Sequence, residues 1–335
     1  MTVPSDSDWR GPLADLKVID LATVVAGPGT ARYLADFGAD VIKVERPEGD
    51  GTRTLGWLDP RDGTSLWWKL VGRGKRNVTI DLKSDDGLAQ IKRLLADADV
   101  LIENFRPGTL ERLGLHPDDL IAANPKLVIL RVTGFGQDGP YANRAGFATM
   151  AEAMSGFAAL NGGIDDGPTL PPIALTDEVT ALVGAFAVMV AVHSGVGQVV
   201  DVNLLESLFQ LMGPLISAHH LLGYEQPRLG SGIPYTVPRG TYRTKDDRWV
   251  AVSTSAESVA RRVMELIGVG DDPRFATFAG RVEHRDELEP LMVAWIAERT
   301  QQEVLDAFEQ AQAAIAPVLS MADIAADPHY AARGM

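Results

Sequence analysis

Short apolar runs alternate with amphipathic stretches through roughly the first two thirds of the chain. Residues 16–22, "LKVIDLA", form an apolar run with β-branched residues and predict a buried strand. The next stretch, "GPGTARYLADFGA", predicts a helix with Pro28 in its first turn and Gly38 at its end. Residues 40–47, "DVIKVERP", predict a second strand stopped by Pro47, so the three segments make a right-handed βαβ unit. The alternation continues. "NVTIDLK" is a further strand, and "SDDGLAQIKRLLADA" reads as a helix with Ser84 as N-cap. Residues 99–105 form a strand, "PGTLERLG" and "HPDDLIAANP" short helices, and residues 126–136 a strand running into a Gly-rich turn. This order predicts a doubly wound, Rossmann-like parallel α/β sheet.

Beyond it the pattern predicts a helix near 148–158, then a Gly/Pro-rich connector, "NGGIDDGPTLPP". The connector leads into "PPIALTDEVTALVGAFAVMVAV", residues 171–192, an almost wholly apolar helix with Thr176, Asp177 and Glu178 at its mouth. Thr176 or Asp177 suits an N-cap, and acidic groups are favoured in a first turn by the free N–H groups there. "GQVVDVNLLESLFQLM" gives a strand and a long helix to about residue 222. Near residue 225 the texture turns rich in Gly, Pro and Tyr. A hairpin turning at Asp246-Asp247 follows, then helices near 257–267, 285–299 and 301–312, the last opened by a Thr300/Glu303 capping box. The expected organisation is a large domain over 1–224, a smaller α+β domain over 225–320, and a tail, 321–335, that starts a return to the large domain.

The 335 residues are 46% hydrophobic and 23% charged, ordinary for a globular protein. The apolar stretch at 177–192 is interrupted by its acidic pair, Thr180 and Gly184, so it reads as a core helix short of a membrane span. The N-terminal "MTVPSDSDWRGP" lacks a basic region followed by an apolar one, and no signal peptide is expected. No cysteine is present, which excludes disulfides and a thiol nucleophile and fits a cytoplasmic enzyme. Net charge is −14, and no Lys/Arg-rich run offsets it, so nucleic acid is not an expected partner. The six histidines show no metal-ligand spacing.

Two features invite chemistry. Gly27 and Gly29 supply "GxG" after the first strand, and Glu45 ends the next strand where a ribose-binding acid would sit. Arg32 occupies the third glycine's place, which favours a plain tight turn over dinucleotide binding. Cations also gather near strand ends: Arg46, Lys75-Arg76 (in a connection) and Arg112. In a doubly wound sheet ligands bind outside the carboxyl ends of the strands, where such cations suit a phosphorylated ligand such as a nucleotide or coenzyme A. Charge alone does not separate that reading from a solvated rim.

Blocks spread along nearly the whole chain then resemble a known family in its own order. They are "LKVIDLATVVAGPGTARYLADFGADVIKVERPEGD", "GRGKRNVTIDLKSDDG", "DVLIENFRPGTLERLGL", "RVTGFGQDGPYANRAGF", "GQVVDVNLLESL" and "APVLSMADIAADPH". Together they resemble the family III CoA-transferases, which also contain 2-methylacyl-CoA racemases. The resemblance implies Asp177 as the catalytic carboxylate, attacking a thioester to give a mixed anhydride and then an aspartyl-CoA thioester. Free N–H groups at the helix terminus would keep it ionised. The resemblance also implies coenzyme A across the first strands, as a substrate thioester with no further cofactor. Thr23, Val24, Val25 and Ala26 would approach the pantetheine, Arg46 and Lys83 the nucleotide phosphates, and Asn104, Phe105, Thr109 and Arg112 the adenine end, with Ile80 and Phe147 also in the coenzyme A site. Acyl-CoA and a carboxylic acid are the implied partners, with an interlocked homodimer as the assembly.

Racemases of that family resemble "AGHD" where this chain has "AGFA", residues 145–148. Phe147 carries no proton, so the two-base chemistry of a racemase lacks one base; Ala148 stands where an acid is common. Two alternatives remain beside CoA transfer: a racemase-type enzyme using Asp177 as a base, and an acyl-CoA-binding protein without turnover.

Overall fold

The computed structural model describes residues 11–335. Most of the N-terminal segment read for a signal peptide lies outside the described residues. Contacts divide the chain into two compact units: one runs through Ala159 and resumes over Thr169–Tyr224, the other comprises Leu160–Pro168 and Glu225–Met335. The connector stretch 160–168 and the tail 321–335 therefore both group with the second unit.

The first unit holds six parallel strands: β1 (Lys17–Asp20), β2 (Asp40–Glu45), β3 (Lys75–Thr79), β4 (Val100–Glu103), β5 (Val128–Thr133) and β6 (Gln198–Asn203). Their order, β3-β2-β1-β4-β5-β6, is that of a doubly wound sheet, reversing between β1 and β4. Alternate side chains feed two cores, as the period of a strand requires. Val18, Val41, Val100, Ile102 and Leu130 pack on one face, and Ile19, Val44, Leu101 and Ile129 on the other.

On the first face lie the Ala26–Asp36 and Leu175–Ser194 helices. They approach closely because small residues meet between them. A Cβ on Gly29 would come within 2.9 Å of the Ala181 methyl, and one on Gly184 within 2.7 Å of Thr30 Oγ1. That hydroxyl donates instead to the Ala181 carbonyl at 3.1 Å. The Leu175–Ser194 helix has 20 residues and is long and apolar enough to cross a membrane, against the shorter span read from the sequence. Thr176, Thr180, Ala181, Gly184, Val188 and Ala191 bury one stripe of it in the protein, as in a core helix.

Where sequence and structure differ, backbone chemistry explains the difference. The long helix expected to residue 222 breaks at Gly213 (φ 58) and Pro214, and resumes over Leu215–Leu222. The 148–158 helix stops at Met154, ahead of Gly156 (φ 93). Lys75, assigned to a connection, opens β3 and is buried against Asp20 at 2.8 Å.

In the second unit β7 (Arg239–Arg243) and β8 (Trp249–Ser253) form the expected hairpin, with Asp247 at φ 60 in its turn. An unforeseen β9 (Ile315–Pro317) pairs antiparallel with β8. Three residues were too few for a periodic signal. The Thr300/Glu303 capping box opens the Gln301–Gln310 helix as read.

Candidate active site

Two adjoining cavities open where β1, β4 and β5 end. The first, of about 340 Å³, is lined by Thr23–Ala26, Asn104–Pro107, the 144–149 segment and Asp177. The second, of about 450 Å³, is lined by Arg46, Ile80, Lys83 and Thr109 among others. Thr23, Val24 and Phe105 line both. Of the site residues expected from the sequence, only Arg112 lines neither; it donates to Thr109 Oγ1 at 2.7 Å.

The wall between the cavities is built by the turn after β1. Val24 sits at φ 69, a strained position for a β-branched residue. A buried ionic cluster holds the turn there. Asp20 accepts the Ala22 N–H at 3.0 Å and pairs with Lys75. Lys43 donates to the Ala22 carbonyl and pairs with Asp50 at 3.2 Å, while Lys75 also donates to the Pro28 carbonyl at 2.7 Å. Burial pushes the Lys75 ammonium below its ordinary pKa, against the pull of Asp20. Lys75 is thus a scaffold group. Arg76, the cation beside it, is exposed and grips Asp40 at 2.6 Å.

A dinucleotide reading finds no support in the turn. Gly27 is required because a Cβ there would meet that of Ala22 at 2.3 Å. Glu45 is occupied by Arg53, at 2.6 and 2.7 Å, and by the Asp50 N–H at 3.0 Å. The cations at the second cavity differ in kind: Arg46 and Lys83 are both exposed, and Arg46 meets only its own turn, donating to the Gly49 carbonyl at 3.0 Å and lying 3.9 Å from the exposed Glu48 carboxylate among the described residues.

Asp177 lines the first cavity, and its role as an N-cap is corrected by the structure. The helix starts two residues earlier than a Thr176 cap requires, and three earlier than an Asp177 cap, at Leu175, with Ala174 in the capping position and no side-chain cap bond. Asp177 falls in the first turn. Nor is its carboxyl held low: it is pushed up to about 6, first by burial and then by the charges of Glu152 and Glu178. Desolvation and like charges outweigh the terminal N–H groups. Glu178 itself is paired with Arg32 and accepts the Tyr33 hydroxyl, both at 2.9 Å.

Sequence reasoning passed over Arg106 and Arg144, which line the cavity that holds Asp177. Both stood inside quoted blocks, "ENFRPG" and "NRAGF", and a count of cations within those blocks finds them. Arg144 stacks on Tyr141, 4.0 Å from the ring centroid. Glu152 was also missed, because nothing local distinguishes it from a solvent-facing helix acid.

A doubly wound sheet with a two-part cleft at its strand ends and a half-buried carboxylate lining one part defines the site of an enzyme for an extended substrate. Comparison with known proteins gives the class. The model of CoA-transferase family III matches residues 13–335. A succinyl-CoA–D-citramalate CoA-transferase of Chloroflexus aurantiacus is 39% identical over 96% of this chain and 82% of its own length. A succinate–glutarate CoA-transferase of Agrobacterium fabrum is 35% identical over 97% and 84%. Among solved structures, a CAIB/BAIF family protein from Brucella suis superposes with a TM-score of 0.84 at 34% identity, over 98% of this chain and 89% of that one. The chain belongs to CoA-transferase family III and is a CoA-transferase, moving coenzyme A between an acyl-CoA and an acid.

Proposed function

We propose that Asp177 is the nucleophile and that the reaction runs through acylated forms of its carboxylate. The observation that carries this reading is its setting. Among the described residues no donor binds the Asp177 carboxylate, burial and neighbouring charge raise its basicity, and it faces the cavity. A carboxylate oxygen attacks the thioester carbonyl, the C–S bond breaks and coenzyme A leaves as thiolate, giving a mixed anhydride. The thiolate attacks the aspartyl carbonyl and expels the donor acid, leaving an aspartyl-CoA thioester. The acceptor carboxylate repeats the two steps in reverse order and restores Asp177. No proton is gained or lost overall, and no cofactor beyond the thioester is required. Phe147 at the cavity wall offers no second base, which favours transfer over racemisation.

The nucleotide end of coenzyme A fits the second cavity, with Arg46 and Lys83 as phosphate partners and Thr23, Val24 and Phe105 along the pantetheine. The acids are short dicarboxylates. Relatives are named for succinate, glutarate and citramalate, and Arg106 and Arg144 give the Asp177 cavity cations for a second carboxylate. A second copy of the chain covers the exposed stripe of Leu182, Phe186 and Val190 on the Leu175–Ser194 helix, which sedimentation would register as a dimer.

Trapping tests the nucleophile. Incubation with succinyl-CoA and hydroxylamine should convert Asp177 to a hydroxamate, read as a mass shift in the peptide "ALTDEVTAL". A label on any other residue would remove Asp177 from the role.

A further inference from the structure

Glu152 lies on the Ala148–Met154 helix, one turn after the cavity-lining Ala148, and is 4% exposed. Its Oε1 accepts the Thr176 hydroxyl at 2.9 Å, and Thr176 is fully buried immediately before Asp177. Thr176 is itself fixed within its helix, since Thr180 donates to its carbonyl at 2.7 Å. The carboxylate is therefore anchored 24 positions away in sequence against the residue adjoining the nucleophile.

Its charge has no local purpose. Glu178, the other acid beside Asp177, has Arg32 and Tyr33 as partners, whereas among the described residues no cation pairs with Glu152. A buried charge without a counter-ion is costly. A glutamine of the same shape would accept the Thr176 O–H equally well with no charge to desolvate. The charge does act on Asp177, as the largest influence on it after burial.

We propose that Glu152 is a positioning residue acting through Asp177: its buried, cation-free carboxylate places a negative charge behind the nucleophile, and acylation, which removes the charge of Asp177, relieves that repulsion. The inference rests on Asp177 being the reacting group. In the first step the Asp177 carboxylate becomes a neutral anhydride while the negative charge leaves with the coenzyme A thiolate. Repulsion present before attack is thus absent afterwards. The charged groups around Asp177 are Glu152 from the Ala148–Met154 helix, Glu178 on its own helix with Arg32 and Tyr33 behind it, and Arg106 and Arg144 across the cavity. Of these, Glu152 is the acid left unneutralised.

The test is Glu152→Gln in the full chain, with kcat and kcat/KM for succinyl-CoA measured against pH. Removing the repulsion should move the acidic limb of kcat/KM down by about half a pH unit or more. On the alkaline plateau kcat should fall about twofold to threefold, because a carboxylate half a unit less basic attacks more slowly. Thermal unfolding at neutral pH should come no earlier than in wild type, since a buried unpaired charge is gone. Glu152→Asp, which keeps the charge, should hold the acidic limb nearer its wild-type position than Glu152→Gln does. An acidic limb and plateau rate unchanged in Glu152→Gln would overturn the proposal and leave Glu152 a structural acceptor. Asp177→Asn keeps the two readings apart. If it is inactive while Glu152→Gln behaves as wild type, the Glu152 inference alone fails. If Asp177→Asn turns over normally, the nucleophile assignment fails first.

Discussion

Thr23 and Asn104 clasp each other across the switch point of the sheet. The Thr23 N–H donates to Asn104 Oδ1 at 2.8 Å, and Asn104 Nδ2 donates to the Thr23 carbonyl at 2.7 Å. This joins the turn after β1 to the turn after β4 at the wall shared by both cavities, next to the strained Val24. A strained backbone persists only where its surroundings over-determine it. Asn104→Ala removes both bonds and should raise KM for acyl-CoA about tenfold, on the scale of two hydrogen bonds, with a smaller change in kcat. Equal losses in kcat and kcat/KM would place the clasp in the chemical step instead.

The Asp177 carboxyl, raised to about 6 from an ordinary 3.8, also makes a prediction about stability. Between those values the folded protein binds more protons than the unfolded chain, so stability falls as pH rises through that window. Asp177→Asn abolishes this dependence. Its unfolding midpoint should equal or exceed that of wild type above about pH 6, while turnover drops by several orders of magnitude. A variant less stable than wild type at pH 8 would show that the carboxylate holds the helix terminus together after all.

Coenzyme A affinity should depend on Arg46 and Lys83 and weaken with salt, since both are exposed at the second cavity. Each alanine variant should raise Kd for coenzyme A by about tenfold, the scale of a charged hydrogen bond. Arg112→Ala, outside both cavities, should change it less. Calorimetry with free coenzyme A gives all three values, and an Arg112 effect as large as that of Arg46 would move the nucleotide toward the Thr109–Arg112 helix.

The contact between the Ala26–Asp36 and Leu175–Ser194 helices leaves no room at Gly184, where a Cβ would lie 2.7 Å from Thr30 Oγ1 and 3.2 Å from Leu130. Gly184→Leu should force the helices apart and cost about 3 kcal/mol or more in denaturant unfolding. Because Asp177 is carried on the same helix, activity should fall before the protein unfolds. A fully active Gly184→Leu enzyme would show that the helix spacing does not place the carboxylate.

Deuterium exchange distinguishes transfer from racemisation. A wild-type enzyme without a second base should leave the 2-proton of a branched acyl-CoA in place in deuterated water, and Phe147→His alone should not start exchange. Rapid exchange by wild type would put Asp177 to work as a base.

The alternation of strands and helices, the Ser84 and Thr300 caps and the hairpin at Asp247 were legible in the sequence, because each depends on residues within a few positions of one another. The cleft residues were legible only through blocks resembling a family, since no periodicity singles out Thr23, Lys83 or Phe105. Tertiary structure alone decided which charges serve the scaffold and which face the cleft. Lys75 is a buried partner of Asp20, 55 positions away, while Arg46 stays at the cavity. Asp177, an ordinary first-turn acid by local rules, becomes a raised and unpaired carboxylate because packing partly buries it and Glu152 arrives from another helix. Local sequence sets the backbone through short-range sterics and hydrogen bonds. Desolvation and Coulomb energy depend on distances that exist only once remote segments have packed, and those set the chemistry of the site.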